Sequence, residues 1–165
     1  MVNAIRDPGT DAIRSPFSLD DIPWEGGRIL YCWWNEARGG RAFPSRADFD
    51  PAVLKGHLAT VVLHDVEHDR DPPDFRIRLM GTEIVAVAGT DPTGQPLAVL
   101  PDTGAIRARY SWLVRMKRPY LCLDLPLSWA SKEFISYSTL AIPLGRSDDR
   151  VDMLMAHLDF RRMPA

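Results

Sequence analysis

From Gly27 onward, apolar residues recur first at helical and then at alternating spacing, with a break between each run. In RILYCWWNEARGGRAFP, Ile29, Leu30, Trp33 and Trp34 fall on one helical face and Gly39-Gly40 stops the run, which predicts a first helix. In PSRADFDPAVLKGHLA, Asp50 stands at an N-cap and Pro51 at the first helical position, where a missing N–H costs nothing. That predicts a short second helix reaching His57. TVVLHDV is β-branched and apolar, HDRDPPD is turn chemistry, and FRIRLM sets Phe75, Ile77 and Leu79 against Arg76, Arg78 and Met80. Together they predict a hairpin.

The period then changes. TEIVAVA is long enough for two helical turns with Thr82 as cap, and GTDPTGQPL leads to a longer helix from Gly104 to Lys117. Three strands should close the chain. PYLCLDLPLSW places Leu121, Leu123, Leu125, Leu127 and Trp129 on one face by simple alternation, and FISYSTLAIPL and VDMLMAHLDF follow it. Two strands, a helical crossing and three strands lack the regular alternation of a doubly wound parallel sheet. The order predicts an α+β fold, with a five-stranded antiparallel sheet, helices on one face and an N-terminal helical extension. Residues 1–22 mix Asp, Pro, Gly and Ser with isolated apolar residues and read as a poorly ordered arm, leaving one domain over 23–163.

Composition narrows the classes. The chain has 165 residues, 45% hydrophobic and 25% charged, enough for one globular core. A formal net charge of -2 gives no bulk attraction to nucleic acid or anionic membrane. There is neither a basic head before an apolar run nor an apolar stretch long enough to span a bilayer, so a cytoplasmic protein is expected. Cys32 and Cys122 are too few and too unpatterned for a disulfide framework or a four-ligand zinc site and read as reduced, mostly buried thiols.

Three ordered motifs carry a family likeness: Trp33-Trp34 in the first helix, Pro44-Ser45-Arg46-Ala47-Asp48-Phe49-Asp50-Pro51, and Arg78-Leu79-Met80-Gly81-Thr82. With the element order, they make residues 27–161 resemble a PAS domain, in particular the small PAS family common in alphaproteobacteria. The resemblance implies a five-stranded sheet cupped by helices, and a role in sensing small molecules, holding cofactors or dimerising. Arg46, Asp48, Arg78 and Thr82 are then expected as a polar cluster tying the second helix to the hairpin. A phosphate-cradling loop is not expected, because Gly81 and Gly89 are eight apart with no lysine between them. Gly81 reads instead as the point where the strand turns sharply.

In PAS-like folds the cavity lies between the long helix and the inner face of the sheet. The resemblance therefore offers Arg109, Tyr110, Trp112, Leu113, Met116, Leu121, Cys122, Leu123, Tyr137 and Met155 as lining, although core packing also accounts for them. Arg109 is unusual because it falls in the apolar arc of its helix. Its stem can snorkel to water, or its guanidinium can meet an anionic ligand inside the cavity. Arg107, Ser111, Arg115 and Arg118 form the opposite stripe, either a solvated face or a phosphate-tracking surface.

Other constellations read blandly. His64 and His68 are four apart, but between TVVL and DRDPPD they belong to a strand end and a solvated acidic turn, so no metal site is expected. Haem and photoactive flavin are not expected either: none of His57, His64, His68 and His157 lies on the long helix, and neither cysteine sits in an Asn-Cys-Arg-Phe type segment. Ser128, Ser131, Ser136 and Ser138 sit on no nucleophile elbow, and Asp124 meeting His157 across the sheet would still lack a nucleophile. The reading is a stand-alone, non-enzymatic sensory or interaction module, with no cofactor assigned, binding an unidentified small molecule or a signalling protein. Trp24, Trp33 and Trp34 are the candidates for a docking or homodimer surface, unless they pack over the sheet. The rival readings are a small-molecule enzyme of a cone-shaped α+β fold and a nucleic-acid-binding accessory protein using Arg107, Arg115 and Arg118.

Overall fold

Five alternating segments pair into one antiparallel sheet, and three helices close over its two faces. The computed structural model describes residues 6–130, 132 and 134–162. The strands are β1 (Val61–Glu67), β2 (Asp74–Met80), β3 (Tyr120–Pro126), β4 (Ile135–Leu144) and β5 (Met153–Arg162), in the order β2-β1-β5-β4-β3. The early hairpin joins the three late strands through β1 and β5, which pair from Val61 with His157 to Asp65 with Met153. The helices are α1 (Glu25–Arg38), α2 (Thr82–Ala88) and α3 (Gly104–Met116). α2, α3 and the connector between them cover the inner face, and α1, the N-terminal extension, covers the outer one.

Helix ends follow backbone chemistry. α1 stops at Gly39, whose φ of 55° suits glycine, and α3 stops at Lys117 in the left-handed region, with its N–H bonded to Leu113 O at 2.8 Å. α1 lies close to the sheet because Gly26 lacks a side chain: a Cβ there would stand 2.2 Å from the His157 ring.

Several expectations change. Asp50 caps as predicted, accepting from Ala52 N at 2.9 Å, but the second helix is one 3-10 turn, Pro51–Leu54. Lys55 has already left the helical region, with a ψ of 126°, and Gly56 takes a φ of 85°. Thr82 opens α2 without capping it by its side chain; the capping position is Gly81. Gly81 makes no left-handed turn, since its φ is -60°. Its requirement is room: a Cβ would come within 2.3 Å of Ala59 O.

Two bulges reset the faces. Between β1 and β2, Leu63 pairs with Leu79 while His64 pairs with Ile77, so Arg78 is the extra residue. Leu79 turns to the outer face and is 47% exposed, whereas alternation alone had placed it with Phe75 and Ile77. In β3, Cys122 pairs with Thr139 and Leu125 with Tyr137; Asp124 within this bulge takes a φ of 55° and its N–H bonds Ser138 Oγ at 3.0 Å. Leu121 and Leu125, expected on one face, therefore lie on opposite faces.

The expected disordered arm is also corrected over its described part. Arg14 and Leu121 exchange both backbone bonds, 2.8 and 3.2 Å, at the free edge of β3, and the turn Gly9–Ala12 packs on α3. Residues 1–5 lie outside the described residues.

Candidate functional site

Between α3 and the inner face of the sheet lies a cavity of about 40 Å³. Val62, His64 and Leu158 project into it from the sheet centre, Tyr120, Tyr137 and Thr139 from β3 and β4, and Ile106, Arg109 and Tyr110 from α3. Met80, Ile84, Leu97, Leu100 and Trp129 complete the wall. The lining is mainly apolar, with polar groups at a few points.

His64 is one of those points. Strand alternation through Val62, His64 and Val66 turns it inward, where it is 2% exposed and meets the Tyr110 ring edge-on at 4.9 Å. Neither ring nitrogen has a hydrogen-bond partner among the described residues. Burial without a compensating group drives its pKa down to about 3, so the ring is neutral. His64 thus lies in a strand as expected, but buried on its inner face and not at a solvated end. The same alternation, read two residues either side, could have placed it correctly. His68 sits apart, on Val151 O at 2.7 Å, and no cluster of metal ligands occurs among the described residues.

Arg109 is the second polar point, 1% exposed. Its stem does not snorkel. Nη2 donates to Asp7 Oδ2 at 3.0 Å and to Tyr137 Oη at 3.3 Å, while Nη1 reaches Asp7 Oδ1 and, at 3.4 Å, Gly9 O. Asp7 comes from the N-terminal segment, and its side chain is nearly as buried as its partner. Burial opposes the guanidinium charge, but the bond to Asp7 and the neighbouring groups outweigh it and hold the pKa above its usual value. Nε remains without a partner among the described residues.

Of the predicted lining, Arg109, Tyr110 and Tyr137 face the cavity. Cys122 shares their face but lies behind the wall, its thiol pushed up to about 12 by burial. Leu113 is packed in the core, and Trp112 meets Tyr120 edge-on at 6.1 Å. Met116, at 39% exposure, points away, and Leu123 is half-buried at the bulge. Leu121 and Met155 are corrected to the opposite face: they pair beside Leu140 and Ile142, in the alternation of His157, which contacts α1. Sequence reasoning missed the rest of the wall, His64, Tyr120, Trp129, Thr139 and Leu158 among it.

The motif cluster does not assemble. Asp48 closes a capping box with Ser45 and pairs with Arg41 at 2.9 Å, and the Ser45 N–H and Arg41 hold its carboxyl below the usual range. Arg46 lies over the Phe49 ring, Arg78 faces Asp65 at 3.6 Å, and Thr82 is exposed. The tryptophan surface is largely internal. Trp34 donates to Pro143 O at 2.9 Å and Trp24 to His157 Nδ1 at 2.9 Å, while Trp33 is half-buried against Phe49. His157 is thereby engaged with Trp24, Thr60 and His57 O, and does not meet the exposed Asp124. In the arginine stripe Arg107 bonds Asp74 and Arg118 lies over Trp112, with Arg115 exposed. Ser131 lies outside the described residues. No helix among the described residues is long and apolar enough to cross a membrane.

A family model described as PAS domain matches residues 25–116, from the start of α1 to the end of α3 and more than half of the chain. The chain belongs to the PAS domain family, and its five-stranded antiparallel sheet agrees with that assignment. PAS domains are, in general, sensory and interaction modules. No curated protein matches the chain.

Proposed function

We propose that the chain is a non-catalytic sensory module that takes a compact ligand into the cavity between α3 and the sheet and reads it through His64. The imidazole, which no protein group among the described residues bonds, carries this reading. A buried polar group without a partner costs about 1–3 kcal/mol, and a leucine there would avoid that cost. A ligand carrying a hydrogen-bonding group would supply the missing partner. The volume sets the class. Against the roughly 10–15 Å³ that a single water needs, the cavity has room for a small group, and it is far below the roughly 300–1,000 Å³ of drug-sized pockets. A larger ligand must spread the walls. Binding without catalysis is favoured because neither ring nitrogen of His64 bonds a nucleophile or a carboxylate among the described residues.

The test is thermal unfolding of the wild type and of His64→Leu with a set of compact phenols, amides and carboxylic acids. At least one compound is expected to raise the wild-type midpoint and to lose that effect in His64→Leu. No stabilising compound, or equal stabilisation of both proteins, would contradict the reading.

A further inference from the structure

The clasp between Asp7 and Arg109 places a carboxylate from the N-terminal segment against a guanidinium that also lines the cavity. Tyr137 belongs to both as well: its hydroxyl accepts from Arg109 and its ring forms part of the wall. A guanidinium buried this deeply needs an anion, because its charge is costly when unpaired. Within the described residues Asp7 is the only carboxylate that bonds it. The fit is bidentate, the geometry that arginine offers to carboxylates.

We propose that Asp7 is a built-in substitute for a ligand carboxylate, and that Arg109 is the anchoring residue of a site for small monocarboxylates with an apolar body. This rests on the cavity being the ligand site, and it names the ligand class. One cation calls for one negative charge. The aromatic and aliphatic wall beside Arg109, formed by Tyr110, Tyr120, Trp129 and Ile106, suits an apolar body, and a doubly charged phosphate would remain half-compensated in it.

Exchange of one carboxylate for the other also has a consequence at the sheet edge. Asp7 lies in the same segment as Arg14, which holds both backbone groups of Leu121 on β3. Displacing Asp7 removes the buried anchor of that segment. The segment then lifts, leaving the Leu121 N–H and C=O open to solvent or to an added strand. Ligand occupancy is thereby converted into a change at the surface.

The experiment compares thermal unfolding of the full chain and of Asp7→Ala in sodium acetate, sodium benzoate and sodium chloride at equal ionic strength. Acetate or benzoate is expected to raise the midpoint of Asp7→Ala above its value in chloride, and to leave the double variant Asp7→Ala/Arg109→Gln unmoved. Because Asp7 competes in the wild type, half-saturation of Asp7→Ala is expected at a carboxylate concentration about tenfold lower or less. In the wild type, saturating benzoate is expected to speed hydrogen exchange at the Leu121 amide. A midpoint that follows ionic strength alone, or an equal response in the double variant, overturns the proposal. Should Asp7→Ala be unfolded in chloride, recovery of the fold in acetate or benzoate is the expected result; no recovery, with Leu121 exchange unchanged in the wild type, overturns it. If compounds still stabilise the wild type through His64 while carboxylates do nothing for Asp7→Ala, the cavity reading stands and this one falls.

Discussion

Trp24 donates its indole N–H to His157 Nδ1 at 2.9 Å, joining residues 133 positions apart in sequence. Because Nδ1 accepts that bond, the proton of the neutral ring sits on Nε2, which donates to His57 O at 2.9 Å beside Thr60 Oγ. The bond fastens α1 to the outer face of the sheet. Replacing Trp24 with Phe leaves Nδ1 buried without its donor, and a loss of about 1–3 kcal/mol is expected in denaturant unfolding. A loss indistinguishable from zero would mean that the bond contributes nothing to docking α1.

Acid should unfold the protein through its buried histidines. Burial holds His64 at about 3 and lowers His157 below its ordinary 6.5, so between those values the unfolded chain binds more protons than the folded one. Stability is then complete above about pH 6.5 and falls as the pH drops below it, by about 1.4 kcal/mol per pH unit for each histidine still neutral in the fold. His64→Leu is expected to reduce that slope by one proton and to match or exceed wild-type stability at pH 7. Denaturant titrations from pH 7 to pH 4 measure both. An unchanged slope in the variant would show that His64 is protonated in the folded protein.

Gly26→Ala tests how closely α1 lies on the sheet. The added methyl would fall within 2.2 Å of the His157 ring, whereas a Cβ at Gly40, just beyond the helix, meets nothing within 4 Å. Overpacking of this kind costs about 1–3 kcal/mol. Gly26→Ala is expected to unfold at lower denaturant than Gly40→Ala, and equal midpoints would contradict the packing.

Much of the fold was legible because each strand is a β-branched or apolar run and each break carries its own Gly, Pro or Asp. The faces were less legible. One inserted residue at Arg78 and one near Asp124 each reverse the alternation, and nothing in FRIRLM or YLCLDLP signals a bulge. In β4 both faces are buried under helices, so ISYSTLAIPL gives no sign of which side borders the cavity. Leu121 and Met155, on the strands either side of β4, were likewise placed in the wall although they lie on the outer face. Arg109 was visible as a cation in an apolar arc. Its partner was not, since Asp7 lies 102 residues away in a segment with no periodicity to tie it to a helix. The strand through His64 was legible, but its acidic neighbours suggested a solvated end although Val62 and Val66 share its face.

Nitrogen-15 NMR of the His64 imidazole, in protein labelled at histidine, with and without the compact phenols, amides and carboxylic acids, reads the state of this ring directly. The free protein is expected to show a neutral ring down to pH 4, and at least one compound to shift a His64 ring nitrogen as it gains a hydrogen-bond partner while the His157 signals stay in place. Ring signals of His64 that no compound moves, or that titrate near pH 6.5 as in an exposed histidine, would contradict a ligand read through His64.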